Sequence, residues 1–212
     1  MRILTLVLLL VCSPLHAGET WRVVGDEQFA PYSFVTMEDD TPHGVDVELI
    51  RAIMQAGAID YQLRLYPRER VKRMLDRGEV EMAFQFAGTP ERMAQYELVG
   101  PLRTGSTVFM TTHKIALQDW TSLDDFAPFV IGQVRGYAYQ SDFDKADLAR
   151  DTSAQNPRAQ HNVRILPRPL VQMPRYVAFA KGDKVRAERF AEALKRVRAS
   201  GELDKILQQW EQ

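Results

Sequence analysis

Cysteine is nearly absent from this 212-residue chain: Cys12 stands alone. A lone thiol excludes an internal disulfide and a cysteine-held zinc or iron–sulfur centre. The four histidines, His16, His43, His113 and His161, lack metal-ligand spacing, so neither a metal nor a cofactor is expected. Neither sign of charge is in excess, with 27 Lys and Arg against 28 Asp and Glu. Such a balance gives no general pull toward nucleic acid or an anionic membrane. No apolar run after Val11 is long enough for a transmembrane helix. A Gly-x-Ser-x-Gly elbow and a Ser-His-Asp pattern are both missing, so no catalytic residue is nominated.

What is present begins with MRILTLVLLLVCSPLHAGET. Arg2 supplies a short positive region, Ile3 to Val11 an apolar core, and Leu15-His16-Ala17 a cleavage site. This reads as a secretory signal peptide over residues 1–17. Val11 before Cys12 argues against lipidation, where a small residue is usual. Cleavage would remove Arg2 and Cys12, leaving 26 basic residues (27 less Arg2) against 28 acidic ones. An exported, cysteine-free domain fits a bacterial periplasm.

Beyond the leader, the pattern alternates. WRVVG (Trp21–Gly25) is a strand. GVDVELIRAIMQAG (Gly44–Gly57) has helical spacing at Val45, Leu49, Ile50, Ile53 and Met54. Tyr61–Tyr66 reads as a strand, Pro67 opens a helix that Gly78 closes, and Val80–Phe86 is an apolar strand. This β-α-β-α-β order predicts an α/β fold with a mostly parallel sheet and helices on both faces. Further strands are expected at Val108–Thr112, in FVIGQV (Phe129–Val134), at Val163–Leu166 and at Tyr176–Ala180. Helices are expected over Val185–Ala199 and Glu202–Trp210. Residues 151–162, DTSAQNPRAQHN, read as loop.

The segment TPER (Thr89–Arg92) is the chemical oddity. Thr89 suits a helix N-cap, Pro90 the first helical position, and Glu91 the positive end of the dipole. Arg92 is the wrong charge for a first turn. It either points into water and pairs with Glu97, or holds an anion beside free helix N–H groups. The residues leave both open. Arg135, Gly136 and Tyr137, after FVIGQV, form a second anion-friendly turn. The basic run Arg64, Arg68, Arg70, Lys72, Arg73, Arg77 is interleaved with Glu69, Asp76 and Glu79, and reads as a solvated helix face rather than a nucleic-acid site.

In order and spacing, FAPYSF, HGVDVELIRAIMQAG, RVKRMLDRGEVEMAFQFAGTPER, YELVGPL, SLDDFAPFVIGQVRG and RVRASGELDKILQQW resemble the family 3 periplasmic solute-binding proteins. These are the amino-acid-binding components of ABC importers. The resemblance covers most of Trp21–Val134 and again Tyr176–Trp210. It implies a type II periplasmic binding fold of two α/β lobes joined by two crossing strands, near Val108–Thr112 and Pro174–Ala178. Lobe 1 would span 18–108 and 176–212, and lobe 2 would span 109–175.

The resemblance also implies roles. Arg92 would clamp a ligand carboxylate, with Thr89 at the helix start. Tyr32 would set its ring against the ligand, although packing at the sheet edge suits it as well, and Gln85, Phe86 and Ala87 would line the pocket. Tyr66 falls where residues often face the cleft, although core packing suits it as well. The implied partners are a small carboxylate-bearing solute, a polar amino acid or analogue, and an inner-membrane ABC permease, served by a monomer. The implied function is binding and delivery rather than catalysis.

Lobe 2 departs from the family pattern. About one βαβ unit, on the order of 30 residues, is missing between DTSAQNPRAQHN and VRILPRPL. With it goes the aspartate that binds a ligand ammonium; Asp142, Asp144 and Asp147 lie on the wrong segment. The expected ligand is therefore a plain carboxylate, or affinity is poor. Two other functions fit the scaffold: a cyclohexadienyl dehydratase, which needs an acid/base group in the cleft, and a sensory or regulatory module acting on a membrane receptor.

Overall fold

The computed structural model describes residues 19–36, 40–134, 137, 139–152 and 163–210. The expected signal peptide, with Cys12, lies outside them. Strand β1, Trp21–Asp26, faces two cores at once: Val23 enters one hydrophobic cluster and Val24 another. Successive side chains of a strand point to opposite faces, so a strand covered on both sides reads as a continuous apolar run.

Around β1 the expected order is realised. Two short strands, β2 (Gln28–Phe29) and β3 (Ser33–Phe34), form a hairpin leading to α1 (Val45–Ala56). Then come β4 (Tyr61–Tyr66), α2 (Arg68–Asp76), β5 (Met82–Ala87) and α3 (Pro90–Gln95). The sheet order is β4-β1-β5-β9-β6, where β6 is Tyr96–Thr112 and β9 is Val163–Ala180. Strands β4, β1 and β5 run parallel, whereas β9 is antiparallel to both of its neighbours. The sheet is therefore mixed rather than mostly parallel. Helices α1, α5 (Lys184–Ala199) and α6 (Glu202–Gln209) cover one face through Ile50, Ile53, Phe190 and Ile206, and α2 covers the other through Val71 and Leu75.

The long strands are the main surprise. Strands were expected at Val108–Thr112, Val163–Leu166 and Tyr176–Ala180, yet β6 and β9 run unbroken for 17 and 18 residues. Pro167, Pro169 and Pro174 argue against a strand, because proline cannot donate to a ladder. The stretch 163–174 pairs with β6 only, so its other edge needs no donor.

The distal ends of these strands carry a third, aromatic core. Phe109 lies 4.0 Å from Phe126 and 5.4 Å from Trp120, between ring centroids, with Phe143 and Leu166 beside them. Trp120 Nε1–H donates to the Arg168 carbonyl at 2.9 Å, which satisfies the one polar atom of that ring. The Arg150 guanidinium caps the cluster, 4.3 Å above the Phe143 ring. The remaining elements here are slight: a 3-10 turn at Leu123–Phe126, β7 (Ile131–Gly132), α4 (Ser141–Lys145) and β8 (Arg150–Asp151). FVIGQV thus yields a two-residue strand, not a full one. The fold is two-lobed, and its second lobe is reduced. Among the described residues, no helix is long and apolar enough to cross a membrane.

Candidate functional site

Polar side chains inside a protein require partners, so their position is informative. Among the described residues, those buried are Asp26, Ser33, Asp46, Arg68, Gln85, Arg92 and Arg103. They gather around one hollow, where the C-terminal ends of β1 and β5 meet the second lobe. Asp26, Phe29, Arg68, Gln85, Arg92, Tyr137 and Arg175 line it. Crevices at the carboxyl ends of parallel strands are the usual ligand positions of α/β folds.

Gln85 organises the floor. Its φ is +69°, uncommon for a residue with a Cβ. The β5–β9 register shifts between Ala83 and Phe86, which marks a bulge. The bulge reverses the alternation of β5: Phe84 enters the first cluster and Phe86 the second. Gln85 Nε2 donates to Ser33 Oγ at 2.6 Å and to Asp46 Oδ2 at 3.1 Å, and Gln85 Oε1 accepts the Asp26 N–H at 3.1 Å.

Behind this floor lies an ion pair. Arg103, from β6, donates through Nε and Nη2 to the two carboxylate oxygens of Asp46, at 2.6 and 2.9 Å. The Tyr32 ring stacks on that guanidinium, 3.4 Å from Arg103 Cζ to the ring centroid. Tyr32 therefore supports the site through Arg103, and it is not among the residues that line the hollow.

Among the described residues, three other guanidiniums face the hollow itself. Arg68 and Arg92 both sit over the Phe86 ring, at 4.4 and 5.1 Å. Arg175 comes from β9 and lies 5.9 Å from the Phe29 ring centroid. Burial, then the charges of Arg68 and Arg175, push Arg92 down to about 9. Burial, then Arg103 and Arg68, push Arg175 down to about 10. Burial also lowers Arg68. All three remain cations at neutral pH. Asp26, the one carboxylate among the described residues that line the hollow, accepts from Gln28 N–H at 3.0 Å and from Tyr137 O–H at 2.8 Å. Burial and the Asp26 charge raise the Tyr137 hydroxyl, so it stays a donor.

Of the expected site residues, Arg92, Gln85 and Tyr137 come together in this hollow. Phe86 lies beneath two of its arginines, and Ala87 is buried in β5 beside Arg175. Thr89 caps α3, accepting the Arg92 N–H at 3.4 Å. That helix has six residues and this N–H is already capped, so the cationic character comes from the guanidiniums rather than from the helix end. Tyr66 lies elsewhere: it packs on the second cluster beneath Arg70 and lines a separate hollow with Arg22 and Gln62. Arg135 and Gly136 lie outside the described residues.

Sequence reasoning missed Asp26, Phe29, Arg68 and Arg175. It placed the whole basic run on a solvated helix face; Arg70 and Arg73 are exposed on α2, Arg77 is exposed at its end, Arg64 is exposed on β4 instead, and Arg68 is buried. The signal was there: Arg68, Val71 and Leu75 are spaced i, i+3, i+7, on the buried face of α2. Nothing local marks Arg175.

The profile of the bacterial extracellular solute-binding proteins, family 3, matches residues 21–212. Comparison with curated proteins gives no match. Among solved structures, a histidine kinase sensor domain with similarity to periplasmic binding proteins aligns at a TM-score of 0.76 and 18% identity, covering 91% of this chain and 96% of its own. The arginine-, lysine-, histidine-binding protein ArtJ of Geobacillus stearothermophilus aligns at 0.76 and 20% identity, covering 91% and 95%. A Salmonella typhimurium periplasmic binding protein described as having high arginine specificity aligns at 0.76 and 15%, covering 91% and 99%. At these identities the likeness is one of fold.

Proposed function

The chain belongs to the bacterial extracellular solute-binding proteins, family 3, and from that premise we propose that it binds a small carboxylate-bearing solute between its lobes in the periplasm and delivers it to an inner-membrane ABC permease. The observation that carries this reading is Arg92, buried in a hollow that residues of both lobes line. A planar guanidinium in a solvent-poor recess suits a carboxylate, which it can hold through two parallel hydrogen bonds. Tyr137 reaches Asp26 across the hollow, so a ligand held there would touch both lobes and favour their closure. The structurally similar ArtJ is named for binding arginine, lysine and histidine, which supports an amino acid or analogue as the broad solute class.

Isothermal titration of the parent and of Arg92→Ala with a panel of amino acids and simple carboxylates tests the reading. A ligand that the parent binds and Arg92→Ala binds at least about tenfold more weakly is the expected result. Equal binding by both proteins would remove Arg92 from the site.

A sensory role on a membrane receptor is the second reading, since a kinase sensor domain shares the fold to the same degree as ArtJ. Co-purification with a permease or with a receptor kinase separates the two. We assign binding rather than catalysis, because the family that the chain matches is one of solute-binding proteins.

A further inference from the structure

We propose that Arg175 selects the solute: its guanidinium donates to a second oxygen acceptor, an amide carbonyl or a carboxylate, separate from the carboxylate held at Arg92. The inference rests on the solute-binding reading and deepens it. It begins with the place of Arg175 in the sheet. Its backbone pairs with Ala87 of β5 on one side and with Arg103 of β6 on the other. Strands on both sides fix the point from which the side chain starts, so only its own torsions remain to be ordered when a solute arrives.

The pairing with Arg103 sets two cations directly opposite each other in an antiparallel ladder, which is destabilising by itself. Arg103 is compensated, because both oxygens of Asp46 accept from it. Arg175 is not compensated in that way. Its Nε is shut off from solvent and has no hydrogen-bond partner among the described residues. A donor left in that state is destabilising until something accepts from it. The side chain as a whole is only half-buried and lines the hollow beside Phe29. A turn about its terminal torsions therefore carries its N–H groups to an oxygen lying there.

Arg175 and Arg92 reach the hollow from opposite faces of the sheet. Residues two apart on a strand share a face, and Val177 and Phe179 put the face of Arg175 against the first hydrophobic cluster. Arg92 sits over Phe86, which belongs to the second cluster. The two guanidiniums thus address different ends of a solute. A solute whose one oxygen group is the carboxylate at Arg92 leaves Arg175 Nε as it is, whereas one with a further acceptor serves it. Hydrogen bonds from a charged donor are strong enough to select between solutes of like shape.

The test is calorimetric titration of the chain at neutral pH with two series matched in carbon skeleton: butyrate, succinamate and succinate, and L-norvaline, L-glutamine and L-glutamate. In each series the first member lacks the second acceptor, the second has an amide carbonyl there and the third a carboxylate. In at least one series, an acceptor-bearing member should bind at least about tenfold tighter than the first. The amide and carboxylate arms decide which acceptor applies. Arg175→Met removes the donor, and Arg175→Lys keeps the charge without the planar fork. Both should bring the ratio to within about twofold of one. Without solute, Arg175→Met should melt no lower than the parent, since it removes the unpartnered donor and the opposed charges. A lower midpoint with an unchanged ratio would make Arg175 structural and overturn the inference. A ratio that survives in either variant, or a parent that binds every member of a series equally, would also overturn it and leave the solute-binding reading standing. No binding by any member of either series would overturn both.

Discussion

Arg103 and Asp46, 57 residues apart, meet in a two-point ion pair with both side chains almost fully buried. The pair ties the first turn of α1 to β6, one of the two strands that pass between the lobes. Because Gln85 also donates to Asp46 and Tyr32 stacks on Arg103, the pair sets the floor of the hollow without facing it. The first prediction concerns stability. Asp46→Ala leaves a buried guanidinium without counter-charge and should destabilise the fold by about 3–5 kcal/mol, read by urea unfolding. The double variant Asp46→Leu with Arg103→Met should recover part of that loss. A double variant as unstable as the sum of the singles would argue that the pair does more than balance charge.

Arg92 should show the opposite sign in the ligand-free protein. Its folded value, about 9, lies below its ordinary range. A cation whose folded value is depressed binds fewer protons folded than unfolded above that value, so stability gains as pH rises through about 9. At neutral pH the repulsion from Arg68 and Arg175 is fully present. Arg92→Gln should therefore be at least as stable as the parent near neutrality, and its advantage should shrink above about pH 9. Paired thermal melts across that range check the trend. A large loss of stability for Arg92→Gln at neutral pH would mean that Arg92 is structural.

Ligand affinity should follow the reverse course. An anion needs the charged guanidiniums, so its affinity should be level through neutrality and fall above about pH 9, as Arg92 and then Arg175 lose their protons. Titrations at several pH values read this directly. A fall beginning well below neutrality would point to another group.

Phe86 supports two arginines at once. Phe86→Ala should destabilise by about 3–5 kcal/mol and also weaken anion binding, because Arg68 and Arg92 lose the ring that positions them. Phe86→Tyr should restore most of both. Fluorescence melts and ligand titrations of the two variants give the comparison.

The small aromatic core around Phe109 should fail separately from the main sheet. Phe109→Ala removes the ring that touches Trp120, Phe126 and Phe143. We expect near-ultraviolet dichroism from Trp120 to fade at lower temperature while far-ultraviolet signal from the larger lobe persists. A single coincident transition would show that the lobes unfold as one unit.

Much of the larger lobe was legible because its signals are local. Apolar spacing at Leu49, Ile50 and Ile53 defines α1, and Thr89 with Pro90 marks the start of α3. Arg92 stood out because its charge is wrong for a first turn. The long strands were less legible, because proline suppresses a strand reading unless the partner-free edge is known. Arg68 was readable from its spacing on α2, but a basic run around it hid the signal.

From sequence alone, composition excluded disulfides and cysteine metal centres, and periodicity determined the α/β order, since both depend on neighbours within a few residues. Tertiary structure decided what those elements enclose. The bulge at Gln85 turned Phe86 under two arginines, the antiparallel return of β9 delivered Arg175 to the same hollow, and Asp46 was drawn to Arg103 instead of to a ligand. Charge at a site is a sum over residues far apart in the chain, and only the folded register brings the terms of that sum together.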